Sequence, residues 1–76
     1  MPDSQEPPGP RYQQGQQVML LFLRRSWPAM VTQYRGWHTD SKGASDHYYK
    51  VLFRRKEDRD SMRLDVPERY LLPMEQ

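Results

Sequence analysis

The chain has 76 residues, no cysteine and a formal net charge of +2, with nine arginines against three lysines. A chain of this length makes at most one domain and buries only about 60% of the surface its unfolded form exposes, with no disulfide or thiolate zinc site to reinforce it. It has no asparagine to carry an N-glycan and no apolar run near the roughly 18 residues of a membrane-spanning helix, and its charge excess is too small to demand a nucleic-acid partner.

The first fourteen residues hold Pro2, Pro7, Pro8, Gly9 and Pro10 among polar side chains. Such a segment cannot offset its ordering entropy by burial, so residues 1–14 are expected to be a disordered tail and residues 15–74 the folded domain. Gly15 then opens an apolar run, Val18-Met19-Leu20-Leu21-Phe22, that predicts a first strand over 17–23. Trp27-Pro28 follows too soon for three helical turns.

A second strand is expected over 28–34. Ala29 and Val31 would lie on one face, Met30, Thr32 and Tyr34 on the other, with Pro28 at the strand's start or edge because it has no amide hydrogen for the ladder. Residues 36–47 contain two glycines, two serines and two aspartates, which predicts a long exposed loop. Tyr48-Tyr49-Lys50-Val51-Leu52-Phe53 predicts a third strand, with Tyr48 and Tyr49 on opposite faces.

The charged residues 54–60 read as a connection. Met62, Leu64 and Val66 alternate with Arg63 and Asp65 as a fourth strand. Residues 67–70 read as a single 3₁₀ turn, and Leu71-Leu72 as a short closing strand ended by Pro73. The fold class is therefore all-β: an antiparallel barrel of four to five short strands that closes its own edges, with a 3₁₀ turn before the last strand.

Nothing in the pattern assembles a catalytic group. Ser26, Ser41, Ser45 and Ser61 have no ordered base and orienting partner, and no glycine-rich loop leads from a strand into a helix. His38 and His47 stand nine apart near Asp40 and Asp46, without thiolates or a rigid frame to make a metal site. No enzyme activity and no cofactor is expected. The side chains that remain to be explained are aromatic and basic. Arg24, Arg25, Arg54, Arg55 and Lys56, with Arg63, could form a stripe that pairs with phosphate, flanked by aromatics on which bases stack. Against this, Glu57, Asp58, Asp60 and Asp65 interleave with them, as on a solvated hairpin.

The succession Gly15-x-x-Val18, Trp27-Pro28-Ala29-x-Val31, Tyr49-x-Val51-x-Phe53, then Val66, Leu71 and Pro73, resembles the Tudor-type domains of the Royal superfamily, which includes PWWP and chromo-barrel domains. It covers residues 15–73. The resemblance implies an SH3-like barrel whose rim aromatics cage a methylated lysine or arginine in a histone or other protein tail. It also implies a nuclear, chromatin-associated setting within a larger protein or complex, with no membrane partner. Carried onto this chain, the cage positions are Phe22, Trp27, Phe53 and Met62, with Tyr34, Trp37 and Tyr48 as further candidates. The carboxylate that often follows the third-strand aromatic is replaced here by Arg54-Arg55, leaving Glu57, Asp58 or Asp60 as substitutes. The alternatives are a barrel that binds DNA or RNA through the arginine-rich surface, and a cage-less protein-docking barrel.

Overall fold

The apolar run after Gly15 forms β1 (Gln17–Phe22), which turns tightly into the long β2 (Arg25–Thr39). β3 (Ser45–Phe53) returns along β2 and β4 (Met62–Pro67) along β3. A 3₁₀ turn (Glu68–Tyr70) then leads into β5 (Leu71–Pro73). The computed structural model describes residues 9–54 and 59–74. It is all-β among these residues: one antiparallel sheet in the order β4-β3-β2-β1-β5, compatible with an SH3-like barrel.

The inner face follows the alternation of the strands. Val18 and Leu20 of β1, Ala29 and Val31 of β2, Tyr49, Val51 and Phe53 of β3, Val66 and Leu71 make one buried cluster. Tyr48 lies on the other face, as period two requires. Tyr12 completes the cluster from upstream of the expected domain boundary, so packing begins before Gly15. The expected tail otherwise falls largely on residues 1–8, outside the described residues.

Two expectations are corrected. The first concerns residues 36–47, which are not a long loop: β2 and β3 pair out to Thr39 and Ser45, and only residues 40–44 turn. Loop-like composition misleads because each such residue has a task inside a hairpin. Gly36, at φ +100°, serves a bulge, one of two irregularities in the β2–β3 register. Asp40 accepts from the amides of Lys42 at 2.8 Å and Ala44 at 3.0 Å, and Gly43 takes the positive φ that the turn needs. Trp37 stacks edge-on against His47 and is a strand residue.

The second correction is the face of Tyr34. The bulge between Val31 and Gln33 reverses the phase, so Tyr34 pairs with Tyr49 and packs its ring on Tyr49 and His47. Pro28 needs no correction in kind. Val31 exchanges backbone bonds with Gly15 and Gln16 on the β1 side, and alternation puts the Pro28 nitrogen on the β3 side, where pairing begins only at Ala29. Its missing N–H interrupts no ladder bond.

β4 and β5 are the sheet's edges and do not pair with one another. Side chains on the 3₁₀ turn between them draw the sheet together. The Tyr49 hydroxyl, on a fully buried side chain, donates to Glu68 Oε2 at 2.6 Å, and the Arg11 amide donates to the same oxygen at 3.0 Å. The Tyr12 hydroxyl donates to the Leu71 carbonyl at 3.2 Å. Arg69 reaches the far hairpin through Asp46 at 3.3 Å and Asp40 at 3.1 Å. Burial, and then the bond to the Glu68 carboxylate, push the Tyr49 pKa well above that of a free phenol, so it stays a donor throughout the physiological range.

Hydrogen bonds to charged groups contribute about 1.5–3 kcal/mol. Tyr49→Phe is expected to lower unfolding free energy by about 2 kcal/mol in urea titrations while preserving the folded spectrum. The turn at Asp40 makes a second test. Its carboxyl is held below the ordinary value of 3.8 by the Ala44 amide, then the Lys42 amide. A depressed folded pKa contributes stability that is full above the unfolded value and is lost as pH falls through the folded one. Hydrogen exchange at the Lys42 and Ala44 amides should therefore lose protection on acidification below that value, and Asp40→Asn should remove the pH dependence.

Candidate functional site

At the end of the sheet opposite the Arg69 contacts, Phe22, Trp27 and Phe53 come together from three strands. Phe22 ends β1, Phe53 ends β3, and Trp27 faces inward beside Leu20. The Phe22 and Phe53 rings stand edge to face with centroids 6.0 Å apart and planes at 70°. Trp27 meets Phe53 at 6.4 Å, tilted by 45°. Phe53 is 3% exposed and forms the floor, whereas Phe22 and Trp27 are half-buried and form the rim.

Two local devices fix this corner. The Trp27 indole Nε1 donates to the Phe22 carbonyl at 3.0 Å, which sets the ring across the hairpin. The hairpin itself has two residues, Leu23 and Arg24, between the paired Phe22 and Arg25. Both have positive φ, 54° and 62°, as a type I′ turn demands. Neither is glycine, asparagine or aspartate, so each sits in the left-handed region at a cost of about 1–2 kcal/mol. Leu23 also projects into solvent, 64% exposed.

Of the other expected cage residues, Met62 pairs directly with Phe53 and is 41% exposed, so it borders the corner. Tyr34 does not join it. Its hydroxyl lies 2.7 Å from His47 Nδ1, and its ring belongs with Tyr49 and His47 in the second aromatic group. Trp37 lies with that group too, and Tyr48 meets His38 on the outer face. His38 donates from Nε2 to the Arg35 carbonyl, while His47 is buried, so the two histidines do not converge. Among the described residues no three histidine, aspartate or glutamate side chains gather to hold a metal ion.

Four of the five described carboxylates are engaged away from the corner. Asp40 and Asp46 bind Arg69, Glu68 accepts from Tyr49, and Asp65 pairs with Arg35 at 3.6 Å. Arg24, Arg25 and Arg54 are exposed around the aromatic corner, and none makes an ion pair with another described residue. Arg55, Lys56, Glu57 and Asp58 lie outside the described residues. Asp60, the remaining expected substitute carboxylate, is exposed. A hollow of about 560 Å³ is lined by Phe22 with Leu21, Arg24, Arg25 and Tyr70, and one of about 330 Å³ by Phe53 with Pro28, Met30, Leu52 and Arg54; Trp27 lines neither.

No protein-family model, curated protein or solved structure matches the chain. The sequence did not signal the second aromatic group, because the bulge that turns Tyr34 inward has no residue marker. It did not signal the type I′ turn either, since Leu-Arg replaces the usual Asn-Gly. The strain at that turn is directly measurable. Leu23→Asn combined with Arg24→Gly is expected to raise thermal and urea stability, by about 1–2 kcal/mol, without altering the Trp27 indole resonance.

Proposed function

We propose that the chain is a non-catalytic Tudor-type reader that takes a methylated lysine or arginine of a histone or other protein tail at the corner of Phe22, Trp27 and Phe53. The observation that carries this is the convergence of those three rings, from three strands, with the indole fixed by its bond to the Phe22 carbonyl. A methylated ammonium is weakly hydrated and is attracted to ring faces, each contact contributing about 0.5–1 kcal/mol at exposed sites and about 2 when desolvated. Phe22 and Trp27 would wall the guest over the Phe53 floor, and Met62 would close the β4 side.

The surrounding charge shapes the expected guest. A mono- or dimethylated lysine keeps N–H donors that call for a carboxylate; four of the five described carboxylates are engaged elsewhere, and the fifth, Asp60, is exposed. Trimethyllysine, which has no such donor, is therefore favoured. In this proposal the protein acts in the nucleus as a chromatin-associated module of a larger protein or complex.

One observation favours a second reading, nucleic-acid binding. Arg24, Arg25 and Arg54 crowd the same end with no described anionic partner, and guanidinium groups beside half-exposed rings suit phosphates and unstacked bases. A calorimetric titration separates the two. The reader predicts that a trimethyllysine peptide binds more tightly than its unmethylated twin and that Trp27→Ala reduces the affinity about ten-fold or more. Equal binding of both peptides would contradict it. Affinity for a single-stranded oligonucleotide that falls steeply with salt and is lost in Arg24→Glu with Arg25→Glu would support the second reading instead.

A further inference from the structure

The outer face of the sheet carries a continuous apolar band that the barrel core does not use. Leu72 of β5 pairs with Met19 of β1, and Met19 with Pro28 of β2. One step along, Met30 pairs with Leu52 of β3; toward the turn, Leu21 pairs with Ser26. Leu21, Met30 and Leu72 are each more than a third exposed. The sequence of β1 points the same way. An antiparallel strand with one solvated face alternates in polarity, whereas Val18-Met19-Leu20-Leu21-Phe22 is apolar throughout, as in strands covered on both sides.

Arginine surrounds this band. Arg63 pairs with Leu52, and Arg54 shares the 330 Å³ hollow with Pro28, Met30 and Leu52. Arg24 and Arg25 share the 560 Å³ hollow with Leu21 and Tyr70. None of the four forms an ion pair with another described residue. Of the five described carboxylates, Asp40 and Asp46 are committed at the far hairpin, Glu68 at the Tyr49 hydroxyl and Asp65 at Arg35, while Asp60 is exposed.

We propose that this face docks an acidic amphipathic helix of a partner protein, its apolar stripe on Met19, Leu21, Met30, Leu52 and Leu72 and its flanking carboxylates on Arg24, Arg54 and Arg63. The dimensions agree. Four adjacent strands place the outer two about 14 Å apart, which accommodates one helix of about 10–12 Å diameter. A second copy of the chain fits poorly, because pairing the face with itself sets one arginine rim against another. An anionic lipid surface would meet the projecting Leu23 turn first and leave Met30 and Leu52, in the middle of the sheet, uncovered. The apolar stripe uses none of Phe22, Trp27 and Phe53, so this docking does not depend on methyl-lysine recognition, although Phe22 and Phe53 line the two hollows at its edge.

The test uses two synthetic helical peptides of about 18 residues, long enough to cross the sheet. Both carry leucine at i, i+3, i+4 and i+7 spacing; one has glutamate and the other lysine at the remaining positions. Methyl resonances of Met19, Met30, Leu21, Leu52 and Leu72 report binding to the full chain. The expected result is saturable shifts with the glutamate peptide alone. Met30→Glu should weaken binding about ten-fold with an unchanged amide spectrum. Arg63→Glu should weaken it several-fold, and Arg63→Lys should restore most of it. No saturable shift with the glutamate peptide, or equal shifts with the lysine peptide, overturns the proposal. So do shifts that arise from protein concentration alone, which mean self-association, and binding confined to phosphatidylserine vesicles with the shifts centred on Leu23.

Discussion

The bond from the Tyr49 hydroxyl to Glu68 carries the β3–β4 contact past its last register pair, Tyr48 with Pro67, onto the 3₁₀ turn that leads to β5. Tyr49 lies on β3, between β4 and the middle strand β2, fully buried, with its ring against Tyr12 and Tyr34. Glu68 lies on the 3₁₀ turn between the two unpaired edges, and the same carboxylate oxygen receives the Arg11 amide. One charge-assisted carboxylate thus ties the upstream segment, β3 and the crossing turn. In a chain with so thin a core, a contact of this kind is a large fraction of total stability.

That seam divides the molecule by chemistry. On one side, the Asp40 and Asp46 carboxylates are spent on Arg69 to hold the long hairpin against the turn. On the other, the short hairpin at Leu23-Arg24 accepts backbone strain, and its aromatic and basic side chains remain half or fully exposed. Strain of this sort is tolerated where the surroundings over-determine the conformation. Here the indole bond to the Phe22 carbonyl and the pairing of Phe22 with Arg25 do so. The end that holds Asp40, Asp46 and Arg69 is tied by ion pairs, and the end that holds Leu23 and Arg24 carries the backbone strain.

Much of this was legible from residue order. Val18, Leu20, Val51 and Val66 alternate in phase with their strands, and each is in the core. Pro67, with Glu68 to Tyr70, marked the turn before the closing strand because proline suits the start of a helical turn. The resemblance names Phe22, Trp27 and Phe53 together, and the Phe53 ring neighbours each of the other two. What was hidden depends on geometry that composition misrepresents. Gly36 and Asp40 look like loop residues but serve a bulge and a turn within a hairpin, and one bulge suffices to move Tyr34 to the other face. Tyr12 sits among prolines and glutamines, yet its burial depends on Tyr49 and Leu71, far along the chain.

The central claim is that a methylated ammonium sits against the faces of Phe22 and Trp27 over Phe53. The most direct measurement is a set of intermolecular nuclear Overhauser effects between the N-methyl protons of a trimethyllysine peptide and the protein. Cross-peaks to the Trp27 indole and Phe22 ring protons, absent for Tyr34 and Trp37, are the predicted result. Binding whose N-methyl contacts fall on the Tyr34–Trp37 side, or on no aromatic ring, would contradict the account.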